Sequence, residues 1–134
     1  MSCTARDILR QALMLYHRNE TGEAATRAVV SRAYYGAYHA ARAYRSSLRV
    51  PGSVGQASGT HQQLIHQLQF PGLSGHEARL SRELGNALMN AHWHRVRADY
   101  RPDDAIDRQS ARQTLTQAAR IVFRARQRPV KARR

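Results

Sequence analysis

With 134 residues the chain is long enough for one domain that buries about two thirds of its unfolded surface, so it needs no disulfide or metal staple. Its single cysteine, Cys3, excludes a disulfide framework. No stretch approaches the roughly 20 apolar residues of a membrane span and no basic leader precedes an apolar run, so the sequence predicts a soluble cytoplasmic protein. Twenty-two basic residues stand against nine acidic ones, a net charge of +13, and every basic residue but Lys131 is arginine. Such a field attracts polyanions, and guanidinium groups both fork onto phosphate and stack on bases, which makes nucleic acid a natural partner.

Thr4 followed three residues later by Asp7 is a capping-box pattern, and Ile8, Ala12, Leu15 and Tyr16 then repeat at helical spacing. A first helix is expected over 4–18, broken at Asn19-Glu20-Thr21-Gly22. The next helix runs from about Glu23 to Leu48 and should be central. Val29, Ala33, Gly36, Ala37, Ala40, Tyr44 and Leu48 form one stripe of mostly small residues, which another helix backbone can approach closely. Tyr34, Tyr35, Tyr38 and Tyr44 flank that seam. Arg32 and His39, seven positions apart, fall on nearly the same face, about 10 Å apart along the axis.

Pro51 ends this helix, and the glycines and serines of 52–59 predict a mobile loop. Gly52, Gly55 and Gly59 do not make a phosphate loop, since no Gly-Lys-Ser/Thr follows and no strand precedes them. Thr60 with Gln63 suggests a second capping box, opening a short helix through Leu64, Ile65 and Leu68 to about Gln69. Phe70 and Leu73 are expected to pin the following turn to the core. From His76 to about Tyr100 the pattern is helical again, with Leu80, Leu84, Leu88, Ala91, Arg95 and Ala98 on one side. A charge in that stripe needs a partner, and Asp99, one turn on, supplies it for Arg95.

Arg101-Pro102 stops this helix and Asp103-Asp104 are expected to cap the last one. Ala111, Leu115, Ala118, Val122 and Ala125 form its core stripe, which fades near Gln127. No acidic residue follows Asp107, whereas nine basic ones do, among them Arg124 and Arg128. Residues 128–134, with Pro129 and no core pattern, read as a flexible basic tail, and 1–127 as the folded domain. No segment alternates with a period of two, so the fold class is all-α: an antiparallel up-and-down bundle of four main helices and one short helix. The pairs His92/His94 and His61/His66 are poorly spaced for one metal on a helix, and neither a metal nor another cofactor is expected. Trp93, the only tryptophan, is expected as a core or dimer-interface anchor.

Two segments in this order carry a resemblance. Arg32-Ala33-Tyr34-Tyr35-Gly36-Ala37-Tyr38-His39-Ala40-Ala41-Arg42, followed about fifty residues on by Arg95-Val96-Arg97-Ala98-Asp99-Tyr100, resembles the HEPN superfamily, and within it the subgroup with an Arg-x-x-Ala-Asp-Tyr motif. The likeness covers roughly residues 23–125. It implies a helical bundle that dimerises around a cleft. In many members it also implies a metal-independent ribonuclease of a toxin–antitoxin or defence pair, often opposite a nucleotidyltransferase-like antitoxin. In that family an arginine steadies the phosphate, and a histidine that follows it after four to six intervening residues assists attack by the ribose 2′-hydroxyl. Here Tyr100, Arg101 and Pro102 occupy those distances from Arg95, and the expected histidine is absent.

The leading expectation is therefore a HEPN-like, RNA-binding homodimer. If it is a metal-independent endoribonuclease, Arg95 binds the phosphate, with Asp99, Tyr100 or His39 as the proton-handling groups. Arg32, Arg97, Arg101, Arg124 and Arg128 are the candidate nucleic-acid contacts. The alternative is a non-catalytic dimeric interaction module that partners a nucleotidyltransferase-like protein, with Arg95 and Asp99 as a structural pair.

Overall fold

The computed structural model describes residues 3–18 and 22–126, and among these it contains five helices and no strand. They are α1 (Ala5–His17), α2 (Glu23–Ser47), α3 (Thr60–Gln69), α4 (Gly75–Tyr100) and α5 (Arg108–Arg124). The tail expected over 128–134, and Arg128 with it, lie outside the described residues. No described helix is long and apolar enough to cross a membrane.

The second helix is the centre of the bundle: α1, α4 and α5 pack on it, and α3 packs chiefly on α4. Its small residues make this possible. A Cβ added at Gly36 would lie 3.2 Å from both the Ala5 carbonyl oxygen and the Leu9 nitrogen, so the first turns of α1 rest directly on the α2 backbone. Ala33, Ala37 and Ala41 are fully buried beside it, as are Tyr34, Leu84, Leu88 and Ile121 from three helices. This is the packed apolar layer that drives folding.

The caps follow the sequence in one place and depart from it in two. Thr4 and Asp7 form the reciprocal box, each backbone N–H donating to the other's side chain at 3.0 Å. Thr60 instead lies inside α3, whose cap is Gly59 at φ 86°, and no side-chain cap forms there. The last helix starts three to four residues later than expected: Asp107, not Asp103 or Asp104, accepts from the Ser110 N–H at 2.9 Å. Asp104 is engaged by Arg97 at 3.2 Å, and Ile106 fills a core position before the helix begins.

The 52–59 loop is pinned by polar contacts, which its composition does not reveal. Ser53 N–H donates to the Phe70 carbonyl at 3.1 Å, His66 Nδ1 donates to the Ser53 carbonyl at 2.6 Å, and Gln67 Nε2 donates to the Gly52 carbonyl at 3.3 Å. A Cβ at Gly52 would fall 1.9 Å from the Gln67 carbonyl oxygen, so only glycine lets the loop pass this close to α3. Phe70 is exposed and stacks on His66, ring centroids 4.4 Å apart, while Leu73 alone of the expected pair packs on the core.

Candidate functional site

At the C-terminal end of α4 the Arg95 side chain turns inward, leaving the residue 9 % exposed. Its Nε donates to Asp99 Oδ2 at 2.8 Å, the pairing that a one-turn separation permits, and its Nη2 donates to the Tyr100 hydroxyl at 3.2 Å. The guanidinium carbon lies 5.0 Å from the Tyr100 ring centroid, 5.6 Å from that of Tyr34 and 5.8 Å from that of Tyr35. The burial cost of this charge is thus met by one carboxylate and three π faces. From α2, Ser31 Oγ donates to the same Asp99 oxygen at 3.1 Å. No hydrogen bond to Arg95 Nη1 occurs among the described residues.

Behind Tyr34 stands a layer of imidazoles. The Tyr34 hydroxyl meets His61 Nδ1 at 2.6 Å, and the His92 ring lies 5.5 Å from Tyr34 and 5.7 Å from His61. Tyr38 closes the cluster 4.5 Å from His61. Burial raises the Tyr34 phenol well above its ordinary value, so near neutral pH it keeps its proton. The hydroxyl and His61 Nδ1 therefore share one hydrogen bond, whose donor is set by the His61 tautomer. Burial, and then the Arg95 charge, lower the His61 pKa; burial, then His61 and Arg95, lower that of His92. Both rings are therefore held in the neutral form that accepts or relays protons.

The sequence candidates are distributed unevenly around this centre. Arg95, Asp99 and Tyr100 come together. His39 is exposed and stacks on Tyr35 at 6.1 Å, so one ring separates it from the Arg95 guanidinium. Arg32 is exposed on the other side of Tyr35, donating to Gln11 Oε1 at 3.3 Å beside a shallow cavity shared with Cys3 and Ile8. Arg97 faces away from Arg95: it pairs with Asp104, donates to the Ala105 carbonyl at 3.0 Å and covers Trp93 at 4.7 Å. Arg101 is exposed at the helix end. Arg124 is bound 3.2 Å from Glu83, which lies twelve residues before Arg95 and so about 18 Å away along the α4 axis. Trp93 is exposed and not a core residue.

Three contributors are not apparent from motif spacing. His61 and His92 look unpromising as metal ligands, yet each shares a helix face with core leucines, His61 with Leu64 and Leu68, His92 with Leu84 and Leu88. That periodicity is the signal that points them inward. Arg27 has no such signal. It reaches across from α2 to donate to the carbonyls of Arg97, Ala98 and Arg101 at 2.9–3.2 Å, and also to those of Pro102 and Asp104. It thereby caps the end of α4 and fixes the turn that carries Asp99 and Tyr100. Among the described residues no three His, Cys, Asp or Glu side chains are grouped to hold a metal ion. Comparison of the chain with family models, curated proteins and solved structures returns no match.

Proposed function

We propose that the chain is a HEPN-type domain, an antiparallel up-and-down bundle, that binds RNA as a cytoplasmic homodimer in a toxin–antitoxin or defence pair with a nucleotidyltransferase-like antitoxin. The observation that supports this reading is the meeting of the two motifs. Tyr34 and Tyr35 of the first and Asp99 and Tyr100 of the second surround one guanidinium, that of Arg95, although 61 positions separate Tyr34 from Arg95. With Nε and Nη2 engaged, Nη1 is left for a phosphate oxygen, whose negative charge the low-polarity, π-lined surroundings would make the guanidinium hold more strongly than in water. Cleavage would need a second group to take the ribose 2′-hydroxyl proton. Of Asp99, Tyr100 and His39, only His39 has no hydrogen bond to Arg95.

The engagement of Arg95 favours a second reading, a non-catalytic dimeric module for a nucleotidyltransferase-like partner in which Arg95 and Asp99 only hold the bundle end together. One experiment separates them: purified protein is incubated with mixed-sequence RNA and excess chelator, and fragment ends and salt-dependent retention are both read. Fragments with 2′,3′-cyclic phosphate ends, lost in an Arg95→Ala variant whose circular dichroism is native, establish a metal-independent ribonuclease. Intact RNA retained in a salt-dependent way establishes a binding domain. With neither cleavage nor retention, the interaction module stands.

A further inference from the structure

On its outer side α4 carries Met89, Trp93, Val96 and Tyr100 at four-, three- and four-residue intervals, one stripe about 16 Å long. Trp93 is 56 % and Tyr100 64 % exposed, and Met89 is exposed with them. A groove of about 320 Å³ runs beside the stripe between α3 and α4, walled by Ile65, His66, Met89, His92, Trp93 and Val96. Among the described residues no carboxylate lines it. The sequence explains why: no acidic residue lies between Glu23 and Glu77 or between Glu83 and Asp99.

The two large rings are held for use. The Tyr100 hydroxyl is anchored by Arg95, leaving its ring outside. The indole of Trp93 carries the Arg97 guanidinium on one side, and Asp104 and the Ala105 carbonyl fix that guanidinium through Nε and Nη2. Ordered, exposed π faces beside arginine, in a chain of net charge +13, match a polyanion whose bases are free to stack. A duplex hides those faces, whereas a single strand presents them. Trp93 and Tyr100 are seven residues apart, about 10 Å along the helix, or about three rises of a stacked strand.

We propose that this face of α4 with its groove binds unpaired RNA, with bases stacked on Trp93 and Tyr100 and phosphates neutralised by Arg101. The proposal rests on the RNA-binding reading above and adds to it the class of strand and the surface. Because Trp93 is the only tryptophan, its emission reports the site directly. The full chain is titrated with a labelled 12-nucleotide single strand and with its duplex, following label anisotropy and tryptophan emission together. The single strand is expected to quench Trp93 and to bind at least tenfold tighter than the duplex. Trp93→Ala should weaken it about 10- to 100-fold, and Trp93→Phe, which keeps a stacking ring, should weaken it far less. If anisotropy reports binding while the emission is unchanged and Trp93→Ala binds normally, the surface is wrong and the RNA reading survives. If no RNA of either form binds, both are overturned. An emission shift that follows protein concentration without RNA, with a dimer lost in Trp93→Ala, assigns the stripe to a second copy and also overturns the proposal.

Discussion

Two arginines are largely buried near the same end of α4, and they are used in opposite ways. Arg27, its side chain 17 % exposed, gives its donors to Glu23 and to five backbone carbonyls. Arg95, its side chain 11 % exposed, makes two hydrogen bonds and rests otherwise against rings. A guanidinium whose donors are consumed by the backbone has become part of the fold. One that is solvated by π faces keeps donor capacity in hand, and that capacity is what a binding site requires.

The contrast is broken most severely at Arg27. Arg27→Ala would strand the helix-end carbonyls together, at a cost of about 3 kcal/mol in a urea-unfolding experiment, and lysine should recover only a small part because it cannot span the same set. A loss below about 1 kcal/mol would show that water replaces the clamp and that the distinction drawn between the two arginines is wrong. At Arg95 the expected loss is smaller, about 1–2 kcal/mol, since Asp99 keeps some contact with solvent and with Ser31. The double variant Arg95→Ala/Asp99→Ala should be no less stable than Arg95→Ala alone. Greater instability in the double variant would mean that Asp99 supports the fold independently of its partner.

The smallest effect is a pH dependence. His61, His92 and His94 all have folded-state pKa values lowered chiefly by burial, so the unfolded chain binds more protons than the folded one as pH falls. Stability should be complete above about pH 6.5, where the rings are neutral in both states. It should decline as pH drops through about 6.5 toward the lowered values. Equal urea midpoints at pH 7.5 and 5.5 would refute this. His94 matters most sharply, because among the described residues its buried Nδ1 has no hydrogen-bond partner to share a proton with.

The helices were legible in the sequence because each carries a long apolar stripe, and the Arg95–Asp99 pair because a charge in such a stripe needs a partner one turn away. What the sequence hid depends on distance along the chain. Arg27 is one of many arginines until the end of α4, seventy residues later, arrives beside it. Tyr34 and His61 belong to different helices, and only packing brings hydroxyl to imidazole. The caps of α3 and α5 were misplaced for a local reason: several turn-forming polar residues compete for each position, and tertiary partners such as Arg97 decide which of them is free.

The pinned loop at Gly52 also bears on the order in which the bundle forms. Its hydrogen bonds join residues 13 to 17 positions apart, Ser53 to His66 and Ser53 to Phe70, whereas the Arg27 clamp joins groups 70 to 77 positions apart. Closing a short loop costs less chain entropy than closing a long one. The α3 segment with its loop is therefore the part of the chain able to organise early. The clamp that fixes the Arg95 pocket closes a chain segment several times longer, so the site carries the larger share of closure entropy.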